Sequence, residues 1–402
     1  MDISVCLLND SFPPLIDGVS TTVYNYASII NSKYGLCAVA TPAYPGVHDD
    51  YPFPVIRYPS IKTEKFFGYR SGLPVTPVVA KELKKLGVNI LHSHCPFASS
   101  VLARTLRTSV LARTLRPALD APIVFTYHTK FDVDIANTFK SEILQTAVIN
   151  VMMANIRTSD EVWVVSPGAA ENLRGLGYTG QPLLMENGVD FSKGPSERSD
   201  VEALAARYGI RKDMSVFLFV GRMMWYKGIR TILDGLYMAK ARGVKFKMIF
   251  VGGGQDYDAI VKNAELLGLA DACVFTGRVS DRGELRAHYS LADMFLFPSD
   301  YDTSGIVVRE AAACGLASVL LRDSSAAHGV TDGRNGLLIH DDASDLMDAV
   351  IRTASDREWA GALGRRAMDD LYLSWDDAVA RAWRRYGEVL EGYREAGKNR
   401  KP

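Results

Sequence analysis

The stretch "PSDYDTSGIVVREAAACG", residues 298 to 315, separates two architectures. Its "DYD" (Asp300, Tyr301, Asp302) has the form of a metal-binding carboxylate pair. Alternatively, Asp302 and Glu310 are two sugar-binding carboxylates set around a helix start. "MFLFPS" reads as a buried strand and residues 300 to 304 as the loop after it. A helix then runs from about Gly305 to Cys314, with Gly315 as its stop signal. The amides near Ile306 and Val307 open at that helix N-terminus, and Gly305 has no side chain to block a close approach, so the turn is a ready anion site. Glu310, further along the helix, is placed to accept hydrogen bonds from ribose hydroxyls, and Asp302, on the loop, from a sugar.

Upstream, "FLFVGRMMWYKG" ends a strand at Val220 and Gly221 and puts Arg222 and Lys227 before the next helical pattern. In an open α/β sheet the ligand crevice lies at the carboxyl ends of the strands. A guanidinium that grips two oxygens and an ammonium that adds a point charge suit a diphosphate there. Taken alone, the two cations read more simply as a helix-starting lysine and an arginine paired with a surface acid. The helix start at Gly305 shifts the balance.

Short runs rich in Val, Ile, Leu and Phe alternate with helical patterns along the whole chain, the signature of parallel-sheet α/β domains. "ISVCLLN", "LCAVATP", "NILHSHC", "PIVFTYH" and "EVWVVSP" are the strands of the first half. "SVFLFVGR", "KMIFVGGG", "ACVFTGRV", "MFLFPS" and "ASVLL" are those of the second. A chain of 402 residues is too long for one ordinary core. The Asn187-Gly188 turn and the Gly/Pro/Ser stretch within residues 185 to 200 place the boundary. The expected division is 1–188, 189–373 and a terminal segment 374–402, in which Ser374 caps a helix that crosses back to the first domain.

Lys+Arg and Asp+Glu each total 46, so no global field favours nucleic acid and any anion must be bound locally. The five cysteines are scattered without a CxxC and read as reduced, buried residues of a cytoplasmic protein. The N-terminus lacks the basic and long apolar regions of a signal peptide, and no uncharged run approaches a membrane span. A protein in solution or on a membrane surface is expected. Two cationic stretches bear on the second option. "SVLARTLRT" (100–108) is followed by the near-copy "SVLARTLRP" (109–117), which reads first as a lengthened surface helix and second as a basic face for anionic lipid. Residues 57 to 74 mix Arg57, Lys62, Lys65 and Arg70 with aromatics, as either a membrane-facing or a solvated loop.

The second-half motifs "VGRMMWYKG", "FVGGGQDYDAI", "FTGRVSDRGELRAHYSLADMFLFPSDYDTSGIVVREAAACGLASVLL" and "DGRNGLLI" resemble the C-terminal domain of retaining glycosyltransferases of the GT-B fold, family 4. "FPPLIDGVSTTVYNYA", "HSHCPFA", "FTYHTKF" and "MENGVDF" extend the resemblance to the first half, and within the family bacterial glycolipid glycosyltransferases are most alike. The resemblance implies two Rossmann-like doubly wound domains facing a central crevice, completed by domain closure. It implies that Arg222 and Lys227 bind the diphosphate, that the backbone of Ser304, Gly305, Ile306 and Val307 binds the distal phosphate, and that Glu310 binds the ribose. Asp302 would hold the donor sugar, Val279 would sit near the base, and Gly253 would line the crevice. Gly18 would approach the phosphates, and His128 would stand beside the reacting end of the sugar. The family pattern has two glutamates; Asp302 is shorter by one methylene, about 1.5 Å, which leaves the sugar open.

With a diphosphate held in this way a metal is redundant, so the expectation is no metal and no cofactor, with Asp300 as loop structure. Glycoside hydrolysis also uses two carboxylates but needs neither paired cations nor an anion-binding helix end. The activity implied is transfer of a hexose, from a UDP-sugar in preference to GDP-mannose, to an acceptor hydroxyl such as that of a membrane glycerolipid, on the inner face of the cell membrane. A GT-B sugar-nucleotide 2-epimerase, a transferase for soluble or polysaccharide acceptors, and a non-catalytic nucleotide-sugar binder are the alternatives. His92, His94 and Cys95 imitate a metal cluster but read as crevice lining or loop packing. "GGG" at 252–254 reads as a tight turn, and no GxxxxGK loop is present.

Overall fold

In the computed structural model, which describes residues 2–15, 17–63, 69–107, 119–301 and 305–398, the chain forms two compact units: residues 1–187 with 375–402, and residues 188–374. Asp302, Ser304, Lys65 and the second copy of the tandem repeat, with Arg113 and Arg116, lie outside the described residues.

The first unit runs β1 (Ser4–Leu8), α1 (Gly18–Lys33), β2 (Leu36–Pro42), β3 (Val55–Tyr58), a short hairpin of β4 (Ser60–Ile61) and β5 (Ser71–Gly72), α2 (Pro77–Lys85), β6 (Ile90–Ser93), α3 (Ala98–Arg107), β7 (Ile123–Tyr127), α4 (Phe131–Thr138), α5 (Glu142–Ile156), β8 (Glu161–Val164), α6 (Pro167–Gly175) and β9 (Leu183–Leu184). Its sheet has the order β3-β2-β1-β6-β7-β8-β9 with every pairing parallel. All residues of β1, β6 and β7 are buried, as strands covered by helices on both faces must be. Asp17 starts α1 through a capping box: its Oδ1 accepts from Ser20 N–H at 2.7 Å and its own N–H donates to Ser20 Oγ at 2.8 Å.

The second unit runs α7 (Arg198–Arg207), β10 (Ser215–Val220), α8 (Ile229–Ala241), β11 (Phe246–Val251), α9 (Tyr257–Leu266), β12 (Cys273–Gly277), α10 (Arg282–Leu291), β13 (Met294–Phe297), α11 (Ile306–Ala313), β14 (Ser318–Leu321), β15 (Leu337–Ile339), α12 (Ala343–Ser355) and α13 (Arg357–Leu371). Its sheet order is β12-β11-β10-β13-β14-β15, again all parallel. The long helix α14 (Trp375–Lys398) then belongs to the first unit. There Tyr386 stacks on Trp163 at 5.2 Å and meets His92 Nδ1 at 2.5 Å, while Arg385 clasps Glu161.

Both units are thus doubly wound α/β sheets. Each has a topological switch point, between β1 and β6 in the first and between β10 and β13 in the second, where the strand order reverses and a crevice opens at the carboxyl ends. In the second unit this edge is tightly laced. Met223 N–H donates to Gly253 O at 3.0 Å, Asp256 N–H to Met223 O at 3.2 Å, and Trp225 N–H to Asp256 Oδ2 at 3.0 Å. Gly252 has φ +143°, and a Cβ there would lie 1.8 Å from Gly221 O. Gly252→Ala is therefore expected to lower unfolding free energy by about 3 kcal/mol or more. Urea melts monitored by circular dichroism would show the loss, and an unchanged midpoint would refute the packing argument.

Candidate functional site

The residues singled out in the second half lie on one edge of its sheet. Arg222 follows β10; its side chain is exposed and has no hydrogen bond or ion pair to another described residue. A short 3-10 turn, Trp225–Lys227, brings the chain round to Gly228, whose φ is +75° and whose missing Cβ would lie 1.8 Å from Pro298 O. This close approach seats the cationic loop against the end of β13. It leaves Lys227 only 7 % exposed, with Nζ 5.7 Å from the ring centroids of both Tyr226 and Phe297. The two ring faces offset part of the cost of burying the ammonium.

On the other side of the switch point, Tyr301 meets the Tyr226 ring edge-on at 4.8 Å. Gly305, at φ +57°, is the N-cap of α11 and offers no side-chain cap. The amides of Ile306 and Val307 lie in the first turn of that helix, with Ile306 partly exposed. Gly253 has open space where a Cβ would be, and Val279 is half-buried just past β12.

Glu310 is the residue whose setting the sequence does not disclose. Its Oε1 accepts from Arg282 Nη2 at 2.7 Å and its Oε2 from the Tyr289 hydroxyl at 3.0 Å. Arg282 also lies 3.5 Å from Asp190 and 4.4 Å from the centre of the Phe191 ring. Burial raises the Glu310 pKa, and the Arg282 guanidinium opposes the rise. A carboxylate has about four acceptor positions, so two remain for a diol after these bonds are made. Arg282 and Tyr289 escape sequence reading because neither stands at a strand end.

In the first unit, Gly18 is exposed at the first position of α1, with nothing within 4 Å of a Cβ added there. The fold does not require glycine at this point. Gly18→Ala should leave stability within about 0.5 kcal/mol, so a drop in turnover with an unchanged melting temperature would mark a ligand that approaches the backbone. His128, directly after β7, is 8 % exposed, and its Nε2 is 2.9 Å from His94 Nδ1. His94 lies in turn 4.0 Å, ring to ring, from His92, whose Nε2 is 2.7 Å from Thr126 Oγ1. Burial pushes His128 down to about 3 and holds His92 and His94 well below the usual range. The imidazoles are neutral.

Among the described residues no group of three or more His, Cys, Asp and Glu side chains is placed to hold a metal ion. All five cysteines are buried and free. Two cations of the 57–74 stretch, Arg57 and Arg70, are held by neighbouring groups. Arg57 donates to both oxygens of Asp49 at 2.8 Å and to Pro13 O, and Arg70 to Ser60 Oγ at 2.9 Å. Arg104 and Arg107 of the tandem repeat are likewise spent, on Asn155 at 2.6 Å and on Asp160 at 2.5 Å.

Two units, each a doubly wound parallel sheet, define a GT-B type of architecture. Residues 16–193 match the family model for glycosyltransferase family 4, and residues 200–369 the model for glycosyl transferases group 1. The chain belongs to this glycosyltransferase family. It is 21 % identical over 358 residues to alpha-monoglucosyldiacylglycerol synthase of Streptococcus pneumoniae, covering 86 % of this chain and 78 % of the relative. It is 30 % identical over 220 residues to the GDP-mannose-dependent alpha-(1-6)-phosphatidylinositol monomannoside mannosyltransferase of Mycolicibacterium smegmatis, covering 52 % of this chain and 56 % of that protein. Anabaena HepE in complex with UDP superposes with a TM-score of 0.71 at 18 % identity, covering 97 % of this chain and all of the other.

Proposed function

We propose that the protein is a metal-independent, retaining hexosyltransferase that moves a sugar from a nucleoside diphosphate, UDP in preference to GDP, to a hydroxyl of a membrane glycerolipid. The observation that carries this reading is Lys227, lodged at the end of β13 by the close approach of Gly228 to Pro298, on the sheet edge from which α11 starts with a glycine N-cap. With Arg222 it supplies two cations and a helix N-terminus for a departing diphosphate, which is where negative charge develops in the transition state. The anomeric C–O bond to the diphosphate breaks, and the nucleoside diphosphate leaves with the electron pair. The acceptor oxygen forms the new bond on the same face, and its proton passes to the departing phosphate. Glu310 takes the ribose.

Support for a lipid acceptor comes from the relatives, whose names specify diacylglycerol and phosphatidylinositol products. No helix among the described residues is long and apolar enough to cross a membrane. The test is incubation with UDP-glucose, UDP-galactose or GDP-mannose and dioleoylglycerol, with and without EDTA, followed by product mass and anomeric configuration. An α-glycosyl lipid formed equally with EDTA supports the reading. A requirement for Mn²⁺, or an inverted product, overturns it.

A further inference from the structure

α10 begins at a residue that its own stability does not call for. Asp281 caps the helix, its Oδ1 accepting from Glu284 N–H at 2.7 Å, and so places Arg282 at the first helical position. A cation there faces the positive end of the macrodipole, where an acid is the stabilising choice. The side chain runs instead to other elements: Nη2 reaches Glu310 Oε1 at 2.7 Å, the guanidinium lies over the Phe191 ring, and Asp190 is 3.5 Å away. Tyr289, seven residues on and so on the same face of α10, is fully buried and donates to the other Glu310 oxygen at 3.0 Å. Its ring meets Phe191 edge-on at 5.9 Å. Between the two, Arg286 donates to Gly194 O at 2.9 Å, which fastens the segment carrying Asp190 and Phe191 to that face. The Glu310 carboxylate is thus gripped on both oxygens, and each oxygen keeps one acceptor position. A vicinal diol, with two O–H donors side by side, fits that pair. It needs the ionised form as well, because a protonated carboxyl presents a donor where a hydroxyl has to be accepted. Burial pushes the Glu310 carboxyl up, and the Arg282 guanidinium draws it back down.

We propose that Arg282 and Tyr289 are positioning residues for the nucleotide: together they hold the Glu310 carboxylate in the one orientation that accepts both ribose hydroxyls. The proposal rests on the transferase reading, in which Glu310 takes the ribose, and adds the groups that enable it to do so. Neither residue touches the nucleotide; both act through Glu310. Asp190 and Phe191 fix Arg282 in turn, so the segment just after the boundary between the units supports the ribose site.

Calorimetry on the full chain compares UDP with 2′,3′-dideoxy-UDP, and GDP with its dideoxy form, for the wild type and for R282M, R282K and Y289F. The wild type should bind the diol nucleotide roughly tenfold or more tightly than the dideoxy one. R282M should lose roughly tenfold in affinity for the diol nucleotide and nothing for the dideoxy form, and R282K, which keeps the charge, should recover part of that loss. Y289F should show a smaller loss with the same selectivity. The Arg282 side chain is 46 % exposed, against 8 % for Glu310, so its replacement opens no cavity; a circular dichroism melt checks that R282M folds, and Y289F, which removes one hydroxyl, carries the same comparison. A loss shared equally by diol and dideoxy nucleotides overturns the positioning role, as does unchanged diol affinity in R282M. A wild-type chain that binds the nucleotide but does not distinguish its dideoxy form also overturns the proposal, and leaves the transferase reading standing. Failure of the wild type to bind either nucleoside diphosphate overturns both together.

Discussion

Lys227→Met is expected to lower kcat by about 10²–10³-fold, the usual cost of removing one preorganised charge from a developing anion. Lys227 is buried over Tyr226 and Phe297, where a thioether of similar length packs on the same rings, so the variant keeps the local packing while losing the charge. The activity loss is large because the start of α11 alone is a weaker electrostatic partner for a diphosphate than a helix end assisted by an ammonium. Arg222→Ala should also leave stability within about 0.5 kcal/mol, because its side chain is exposed, yet weaken nucleotide binding. The two losses should not add, because both cations act on one leaving group. Steady-state kinetics with calorimetric nucleotide affinities check this. A K227M enzyme with near wild-type turnover would remove Lys227 from the mechanism.

The second large effect is acid lability of the first unit. His92, His94 and His128 are buried and neutral, with folded pKa values depressed below the ordinary histidine value. The unfolded chain takes up their protons near pH 6.5, whereas the folded one does so only far lower, near 3 for His128. Between those limits the unfolded state binds more protons, so stability rises with pH and is lost on acidification from about pH 6.5. Each histidine contributes up to about 1.4 kcal/mol per pH unit. Urea midpoints at pH 7, 6, 5 and 4 measure the slope, and His128→Asn should reduce it by one proton. A flat profile from pH 7 to 5 would mean that these rings are hydrated.

The doubly wound architecture was legible because strands buried on both faces need continuous apolar runs, and all ten runs read from the sequence are strands. β3, β9 and β15 escaped for a physical reason. "VIRY" alternates buried and half-buried positions, while β9 and β15 are two and three residues long, too short for any period to show. In the candidate site, strand-end residues such as Arg222 and Lys227 and the glycine before α11 were legible, since local chain geometry alone places them. Arg282 and Tyr289 were not. They enter through a partner well along the sequence, Glu310, and no spacing rule reaches that distance. The partners of the basic stretches were hidden for the same reason: Arg57 pairs with Asp49 and Arg107 with Asp160, which no spacing in the sequence announces.

The place of α14 bears on the order in which the chain can fold as it is made. Residues 188–374 form one uninterrupted unit, whereas the first unit needs residues 375 onward. Until α14 emerges, Trp163 lacks its stacking partner and His92 lacks the Tyr386 hydroxyl. The unit synthesised second is therefore the one able to finish first, and the unit synthesised first waits on the last helix. A nascent chain halted at residue 374 would display a protease-resistant second half and a cleavable first half, so premature termination anywhere before α14 leaves the cell with an exposed aromatic cluster for its quality-control machinery to find.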